Sequence, residues 1–264
     1  MASDIDSPGN SSLLLLGQVL NQPKSWILAH GEYELSLEEQ NNLNEKMDHL
    51  LGGFPLPYIL GHWDFFGRTF EITPDVLIPR PETELMVQKA IESIQTHTHP
   101  KIADVGTGSG AIAVSLGAAF PSANIIAVDI SRAALRVAKK NADKYTKSQI
   151  YFIQSNLLAP VWLKFNLICA NLPYIPSQML KHLKVYKHEP QVALDGGENG
   201  LEMINLLLHQ AQNRLAHTGI ILLEIESSLG EQSIESARAA FPKAQLVLHQ
   251  DYAGCDRLIE IHTA

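Results

Sequence analysis

The sequence of 264 residues is long enough for one or two domains with a buried core, and its hydrophobic content of 45% is ordinary for a globular protein. No apolar run approaches the roughly 20 residues that a membrane span needs. The acidic start, MASDIDSPGN, lacks the basic region of a signal or transit peptide. We therefore expect a cytoplasmic protein that does not span a membrane.

The net charge of −8 is concentrated at the front of the chain. Residues 1–80 contain 11 Asp and Glu against 4 Lys and Arg, a net charge of −7. An acidic module repels phosphate backbones, which argues against a nucleic-acid partner and favours a basic protein partner. A solvated surface that is acidic for solubility explains the same charge equally well.

The N-terminal part of the chain is predicted to be helical. Apolar residues recur at helical spacing within residues 12–56. Ser36, followed three residues later by Glu39, has the form of a capping box at the start of a helix. The pair Gly52-Gly53 ends this section. These patterns indicate a small helical domain at the front of the chain.

A segment rich in aromatic and β-branched residues follows, with Gly67-Arg68 near its middle. This composition, centred on a turn signal, predicts a β-hairpin that connects two domains. We place the boundary at residue 70. The N-terminal domain is then residues 1–70, hairpin included, and the second domain is residues 71–264.

Short apolar runs alternate with helical patterns in the second domain, which indicates an α/β fold with a mostly parallel sheet. The last two runs are joined by residues 250–256, too few for a crossover helix, so they should pair antiparallel. The predicted strands are 101–105, 125–129, 150–154, 165–170, 220–225, 244–249 and 257–262. The predicted helices are 82–95, 110–119, 131–145 and 199–216.

The segment KIADVGTGSGAIAVSL has the order strand, glycine loop, helix. Glycines allow a ligand to approach the backbone, and the helix N-terminus offers free N–H groups to an anion. Such a loop suits any nucleotide-like cofactor, and a tight turn without a ligand has the same form. One residue separates Gly108 from Gly110, which is closer to the pattern of S-adenosylmethionine enzymes than to the dinucleotide fingerprint.

The ends of the next two predicted strands carry polar residues. Asp129 lies 19 residues after Gly110 and can accept hydrogen bonds from both ribose hydroxyls of a cofactor. Ser131 suits an N-cap that would hold this turn. Asn156 follows the third strand and can face an adenine edge. Ordinary loop polarity explains Asn156 equally well.

The tetrapeptide Asn171-Leu172-Pro173-Tyr174 follows a predicted strand and indicates a site for a planar NH2 group. The Asn171 side-chain oxygen and the Leu172 carbonyl can accept its N–H hydrogens, which orients the nitrogen for in-line methyl transfer. Pro173 disfavours helical backbone at Leu172. Tyr174 offers a flat face for the planar group. A glutamine amide and an adenine amine both satisfy this chemistry.

Taken together, these motifs resemble the release factor glutamine methyltransferases. The resemblance covers about residues 56–262 and includes PLPYILGHWDFFG, LIPRPETE, DVGTGSGAIAVSL, AVDIS, HEPQVALDGGENGLEMI and DYAGCDR. It implies a helical N-terminal substrate-recognition domain joined to a seven-stranded, Rossmann-like, S-adenosylmethionine-dependent methyltransferase domain. The implied reaction is methylation of the side-chain amide of the Gly-Gly-Gln glutamine in peptide chain release factors, which act in translation termination.

The resemblance also implies roles for residues, position by position. The implied cofactor site is Gly106, Thr107, Gly108, Ser109, Gly110, Asp129, Asn156, Leu157 and Asn171. The implied catalytic and glutamine-binding turn is Asn171, Leu172, Pro173 and Tyr174, with Arg80 and Glu189 as further walls of the substrate cleft. We expect no metal, a monomeric enzyme, and a release factor as its protein partner.

Two residues depart from the family pattern. Leu172 replaces the first proline of the usual Asn-Pro-Pro-Tyr turn, and Asn156 replaces the usual Asp. Because Asn-Leu-Pro-Tyr is the turn of ribosomal RNA adenine dimethyltransferases, methylation of an adenine amine in RNA or DNA is an alternative. A catalytically weak S-adenosylmethionine-binding relative is another. The LIPRPETE motif and the acidic front of the chain favour glutamine.

Overall fold

The computed structural model describes residues 8–180 and 188–263. Within this part the chain forms two units, which divide between His62 and Trp63. The first unit contains the helices α1 (Pro8–Leu20), α2 (Lys24–Ala29), α3 (Leu37–Leu51) and α4 (Leu56–Leu60). The prediction of a helical N-terminal part is confirmed.

Helix α3 begins at the predicted capping box. The Ser36 hydroxyl accepts a hydrogen bond of 3.3 Å from the Glu39 backbone N–H, and the Glu39 carboxylate accepts one of 2.8 Å from the Ser36 N–H. This reciprocal pair satisfies donors that the helix itself leaves free. Gly52 caps the other end of the helix, as its position predicts.

The predicted β-hairpin is present, formed by β1 (His62–Phe65) and β2 (Arg68–Glu71). Phe66 and Gly67 in its turn have φ angles of 47° and 70°, as a two-residue hairpin turn of type I′ requires. We predicted a domain boundary at residue 70, after the hairpin, whereas the two units divide at its first strand. The hairpin groups with the second unit because β2 is hydrogen-bonded to Asn141 there.

A seven-stranded sheet of order β5-β4-β3-β6-β7-β9-β8 forms the centre of the second unit. The first five are parallel to one another, while β9 pairs antiparallel with both β7 and β8. The strands are β3 (Lys101–Val105), β4 (Asn124–Asp129), β5 (Gln149–Gln154), β6 (Phe165–Ala170), β7 (Leu215–Glu224), β8 (Gln245–Gln250) and β9 (Asp256–His262). All seven predicted strands and the antiparallel end are confirmed.

Helices cover this sheet. They are α5 (Thr83–Ile94), α6 (Ala111–Ala119), α7 (Arg132–Tyr145), α8 (Ser177–Leu180), α9 (Glu202–Ala211) and α10 (Gly230–Ala240). The predicted helix 199–216 was too long, because its last residues belong to β7. Helix α10 was not predicted. Its buried positions include Ser233 and Ala237, which give no apolar periodicity.

The sheet topology decides where a ligand can bind. Strand β3 lies between β4 and β6, because the chain runs outward from β3 through β4 to β5 and then crosses back to place β6 on the other side of β3. Ligands of open α/β sheets bind at the carboxyl edge beside such a switch point. The segments that follow β3, β4, β5 and β6 meet at this edge.

The described part of the chain has neither a membrane-spanning helix nor a metal-binding cluster. No helix there is both long and apolar enough to cross a bilayer. Nor does any cluster of three or more His, Cys, Asp or Glu in residues 8–180 and 188–263 have the arrangement of a metal site.

Candidate active site

The glycine loop between β3 and α6 is hydrogen-bonded to the end of β4. The backbone N–H groups of Gly106 and Thr107 both donate to the Val128 carbonyl at 2.9 Å. The N–H of Gly108 donates to Asp129 Oδ2, also at 2.9 Å. Two of the predicted cofactor elements, the loop and the acid, are therefore one hydrogen-bonded unit.

Backbone conformation explains why glycine is needed in this loop. Gly106 and Gly110 have φ angles of 75° and 82°, in the left-handed region that side chains disfavour. A Cβ on Gly106 would lie 3.2 Å from Leu172 Cδ2, and one on Gly110 would lie 3.1 Å from Cβ of Ala138 in α7. The loop thus packs closely against the Asn-Leu-Pro-Tyr turn on one side and α7 on the other.

A cleft of about 780 Å³, open solvent included, lies at this edge of the sheet. Six of the residues predicted for the cofactor line it: Gly106, Gly108, Asp129, Asn156, Leu157 and Asn171. Leu77, Ile130 and Ala134 add apolar walls. A cleft with a carboxylate, backbone amides and apolar walls suits a nucleoside with a small charged tail.

Thr107 and Ser109 do not line this cleft, although they were predicted with the loop. The Thr107 hydroxyl donates a hydrogen bond of 2.6 Å to Asp104 Oδ2. The same oxygen accepts a hydrogen bond of 3.0 Å from the N–H of Ala113 in α6. Burial raises the pKa of Asp104 to about 6. Ser109 is buried as well. These side chains hold the loop and do not face a ligand.

Backbone hydrogen bonds hold the Asp129 carboxylate at the cleft. Its Oδ1 accepts a hydrogen bond of 2.8 Å from the Ser131 N–H, and the Ser131 hydroxyl caps α7 by accepting from Ala134 N–H, as predicted. Burial raises the pKa of Asp129 from its ordinary value, and the backbone donors oppose that rise. The carboxylate is therefore fixed by the loop and by α7 before any ligand arrives.

The segment after β5 carries backbone strain at the cleft. Leu157 has a φ angle of 54°, which is uncommon for a residue with a branched side chain, and it is buried in the hydrophobic core. The neighbouring Asn156 is exposed and lines the cleft. The strained turn therefore anchors Leu157 in the protein while Asn156 faces the ligand space.

The Asn-Leu-Pro-Tyr turn begins where β6 ends. The Asn171 Nδ2 group donates a hydrogen bond of 3.1 Å to the Thr83 hydroxyl at the start of α5. Leu172 is only 3% exposed and belongs to the hydrophobic core. Its side chain packs against Gly106 and therefore supports the glycine loop.

A second cleft of about 480 Å³, open solvent included, adjoins the first at the turn. It is lined by Arg80, by the turn residues 171–174, and by Leu77, Ile175, Ala193 and Leu194. Leu77, Asn171, Leu172, Pro173 and Ala193 line both clefts. The turn therefore lies where the two clefts meet.

Tyr174 lines the second cleft and not the first. Burial raises the pKa of its phenol to about 12, and the negative charge of Glu224 adds to this effect. Tyr174 is thus a neutral phenol at physiological pH, which suits contact with a planar group and not proton abstraction.

Residues 193–200, with the sequence ALDGGENG, are hydrogen-bonded to Ile175 and packed against the backbone of Tyr174. The Ile175 N–H donates to the Leu194 carbonyl at 3.1 Å, and the Gly196 N–H donates to the Ile175 carbonyl at 2.9 Å. A Cβ on Gly196 would lie 2.7 Å from Tyr174 Cα, and one on Gly200 would overlap the Tyr174 carbonyl oxygen. Glycine is required at these two positions because the turn passes so close.

The LIPRPETE segment binds three parts of the site together. Arg80 forms an ion pair with Glu189, which is buried and accepts a further hydrogen bond of 3.3 Å from the Ile78 N–H. Glu84 accepts one of 2.8 Å from the N–H of Phe66 in the hairpin turn. Arg80 and Glu189 were predicted as further walls of the substrate cleft. Arg80 lines the second cleft, whereas Glu189 does not line it and instead holds Arg80.

The buried amide of Asn141 in α7 links the hairpin to the cofactor loop. Its Oδ1 accepts a hydrogen bond of 2.7 Å from the Glu71 N–H, and its Nδ2 donates to the carbonyls of Glu71 at 3.0 Å and Ser109 at 2.9 Å. Sequence reasoning missed Asn141, since nothing in its local sequence distinguishes it from a surface residue of an amphipathic helix.

Two family models match this chain: the PrmC N-terminal domain over residues 1–61 and the methyltransferase small domain over residues 83–187. Full-length relatives match as well. A release factor glutamine methyltransferase of Moorella thermoacetica is 38% identical over 97% of this chain and 92% of its own length. The enzyme of that name from Enterococcus faecalis is 39% identical over 88% and 84%.

The chain belongs to the release factor glutamine methyltransferase family. The Coxiella burnetii member of the family is 34% identical over 96% of this chain and 91% of its own length, so both units of the chain are shared with it. The membership expected from the motifs of residues 56–262 is thus confirmed, and it extends to the N-terminal unit.

Solved structures of other methyltransferases share the fold of this family member. The catalytic domain of human METTL16 superposes with a TM-score of 0.57 at 16% identity, over 81% of this chain and 91% of that one. A methyltransferase of Pyrococcus furiosus gives 0.56 at 16% identity, over 84% and 99%. At such identities the likeness concerns the fold alone, which is the Rossmann-like methyltransferase fold predicted.

Two buried residues that contact the turn of this methyltransferase were not predicted as site residues. Thr83 holds the Asn171 amide, and Glu224 ends β7 next to it. Burial raises the pKa of Glu224 to about 7, against the opposing effects of the neighbouring Thr83 and Asn171 side chains and of Arg257. The sequence did offer a signal for Glu224, since this acid lies near the end of the predicted strand 220–225 and so at the same edge of the sheet as the site.

Proposed function

We propose that this protein transfers a methyl group to the side-chain amide nitrogen of the Gly-Gly-Gln glutamine of a peptide chain release factor. The observation that carries this proposal is the Asn-Leu-Pro-Tyr turn, which lies where two clefts adjoin and presents polar atoms to both. A transfer between two bound molecules needs this arrangement, with the donor in one cleft and the acceptor in the other.

The larger cleft would hold S-adenosylmethionine, which supplies the methyl group. Asp129 would accept hydrogen bonds from the ribose hydroxyls. Asn156 would face the adenine edge, where its amide offers both a donor and an acceptor. The start of α6 would bind the carboxylate of the methionine part, because unpaired backbone N–H groups attract anions there.

The smaller cleft would hold the glutamine side chain. Because Nδ2 of Asn171 donates to Thr83, the Asn171 oxygen is the atom left to accept an N–H of the substrate amide. The Leu172 carbonyl would accept the other N–H. Held in this way, the nitrogen lone pair points along the line of transfer. The nitrogen can release its extra proton after transfer, so no strong base is required.

The N-terminal unit would recognise the body of the release factor. Residues 1–80 carry a net charge of −7, and Leu37 and Leu51 at the two ends of α3 are 78% and 79% exposed. Exposed apolar side chains among acidic ones suit a partner with a basic, partly apolar face. We further propose that the enzyme is a cytoplasmic monomer without a nucleic-acid partner.

The test is methyl transfer from labelled S-adenosylmethionine to an unmodified release factor, with the site mapped by mass spectrometry. We expect one methyl group on the Gly-Gly-Gln glutamine and none when that glutamine is replaced by glutamate. Confirmed cofactor binding without methylation of this glutamine would contradict the proposal. Binding to the factor should weaken as salt rises, because the acidic unit contributes to it.

Leu172 motivates one alternative, methylation of an adenine amine in RNA or DNA. The burial of the Leu172 side chain against Gly106 argues against this alternative, since the side chain that differs from the family pattern packs against the glycine loop. The same assay with ribosomal RNA and DNA as acceptors separates the two. Tight cofactor binding with no acceptor modified would identify a catalytically weak relative.

A further inference from the structure

The register of the sheet places a buried carboxyl beside the key amide of the turn. Ala170 of β6 pairs with Leu223 of β7 in parallel register, so the next residue of each strand, Asn171 and Glu224, are neighbours at the carboxyl edge. Glu224 is only 3% exposed, and its Oε2 atom has no hydrogen-bond partner among the described residues. Burying a carboxyl without a full set of partners lowers stability, so its presence here points to a functional role.

The Asn171 amide and the Thr83 hydroxyl lie beside this carboxyl. The Asn171 NH2 group donates to the Thr83 hydroxyl at 3.1 Å, and both side chains lower the pKa of Glu224 because they are polar neighbours of its carboxylate. Since a threonine hydroxyl carries a single hydrogen, it can accept from Asn171 while it donates to Glu224. The NH2 group of Asn171 is thus drawn toward Thr83 and Glu224.

The two orientations of an asparagine amide have nearly the same shape, so its hydrogen-bond partners decide between them. An ionised carboxylate accepts hydrogen bonds and cannot donate one. It therefore favours the orientation in which the Asn171 NH2 group faces inward and its oxygen faces the ligand. The opposite orientation would present NH2 to a substrate NH2, and no hydrogen bond could form.

We propose that Glu224, acting through Thr83, is a positioning residue that fixes the orientation of the Asn171 amide and thereby makes the turn selective for an NH2-bearing substrate. Glu224 need not touch the substrate. This inference rests on the proposed function for its kinetic consequences, whereas the orientation of the amide can be measured without any substrate.

A consequence is that activity depends on the ionisation of Glu224. Burial raises its pKa to about 7, Glu82 opposes ionisation further, and Arg257 in β9 favours it. The phenol of Tyr174 also faces this group and stays neutral. A protonated Glu224 can donate to the Asn171 oxygen and release the amide from its orientation. Turnover should therefore rise with pH through the neutral range.

The first test observes the amide directly. In protein with ¹⁵N-labelled asparagine, the side-chain NH2 signals of Asn171, assigned by their loss in Asn171→Asp, are followed from pH 5.5 to 8.5. We expect them to titrate near neutral pH in the wild type and in the control Glu226→Gln, and not in Glu224→Gln. Signals that titrate unchanged in Glu224→Gln, or never titrate in the wild type, would overturn the proposal.

The second test is kinetic and uses the same variants with S-adenosylmethionine and a release factor. We expect Glu224→Gln to lower kcat about 10-fold or more, as losses of preorganised contacts do, with the Kd for S-adenosylmethionine unchanged and a flat pH profile of kcat between pH 6 and 8. A Glu224→Gln enzyme that keeps the wild-type profile would overturn the proposal. A wild type without activity would instead refute the proposed function and leave the amide measurement as the test.

Thr83 provides an independent check on the same relay. Thr83→Val removes the hydroxyl at nearly constant shape, while Thr83→Ser retains it. We expect the Thr83→Val variant to lower kcat, since the hydrogen bond that it loses contributes about 1 kcal/mol. The Thr83→Ser variant should keep kcat within about threefold of the wild type. Equal activity of both variants would show that the hydroxyl does not position Asn171.

Discussion

The backbone N–H of Gly108 donates a hydrogen bond of 2.9 Å to the side chain of Asp129, 21 residues further along the chain. Asp129 therefore has two roles, as a predicted ribose acceptor and as the anchor of the glycine loop. Its removal should affect cofactor binding through both.

We predict that Asp129→Ala weakens binding of S-adenosylmethionine by about 10- to 100-fold, because hydrogen bonds to a charged group contribute about 1.5–3 kcal/mol. Isothermal titration calorimetry measures this Kd. Asp143→Asn, at an exposed position on α7, serves as the control and should leave the Kd unchanged. Equal affinity of the wild type and Asp129→Ala would show that the cofactor binds elsewhere.

Asn171→Ala should remove the acceptor of the substrate amide and lower kcat by about 10²- to 10³-fold, as the loss of one preorganised polar group in an active site does. The Kd for S-adenosylmethionine should change little. Asn166→Ala is the matched control, since Asn166 lies at the other end of β6, where its side chain accepts a hydrogen bond from the Lys101 N–H. Turnover in Asn171→Ala close to that of Asn166→Ala would place the amide site elsewhere.

Gly200→Ala should lower turnover while the protein still folds. Its new methyl group would overlap the Tyr174 carbonyl and push the turn toward the second cleft. Gly254 has a φ angle of 77°, nearly equal to the 76° of Gly200. A Cβ added to Gly254 would have no heavy atom of the described residues within 4 Å, apart from its neighbours in the chain. Gly254→Ala therefore controls for backbone strain. If kcat and the thermal midpoint fall equally in both variants, strain and not the contact with Tyr174 is the cause.

Leu172→Ala should cost about 2–4 kcal/mol in the free energy of unfolding, because it leaves a cavity in the core beneath the glycine loop. Urea titration measures this loss. Leu163→Ala, at a position that is 45% exposed, should stay within about 0.5 kcal/mol of the wild type. A neutral Leu172→Ala would mean that its contact with Gly106 contributes nothing to stability.

The raised pKa of Glu224 also predicts how stability depends on pH. The group ionises near its ordinary value of 4.5 in the unfolded chain and at about 7 in the folded one. As pH rises between these values, the unfolded state loses the proton first, so the free energy of unfolding falls. Asp104, raised from 3.8 to about 6, acts in the same direction at lower pH.

Between pH 5 and pH 8 the wild type should therefore lose on the order of 2 kcal/mol more than Glu224→Gln, which cannot ionise. Urea unfolding at the two pH values gives the comparison. A wild type whose stability falls no further than that of the variant would contradict the raised pKa. The expected result would show that ionisation of Glu224, which we propose favours activity, lowers stability.

The strands were predictable because each is a short apolar run bounded by turn residues, and parallel strands buried on both faces need such runs. Asp129 and Asn171 were predictable for the same reason, since the polar residue at the end of a buried strand faces the carboxyl edge. Helix α10 was not predictable. It buries Ser233 and Ala237, which a hydrophobic pattern does not register.

The supporting residues of the site lay beyond sequence reasoning because they depend on tertiary contacts. Thr83 and Asn171 are separated by 88 residues, and only the packing of α5 on the sheet brings them together. Glu224 becomes a neighbour of Asn171 through the register of β7 against β6. In Leu172, an unusual residue type suggested a different substrate, whereas the burial of its side chain shows that it serves packing.

The contact between the two clefts has a consequence for inhibitor design. Five residues, Leu77, Asn171, Leu172, Pro173 and Ala193, line both clefts, so the ligands in the two clefts would lie next to each other. A single compound with a nucleoside at one end and a carboxamide at the other could occupy both and would lose its translational freedom once instead of twice. Its selectivity over other methyltransferases would come from the carboxamide half.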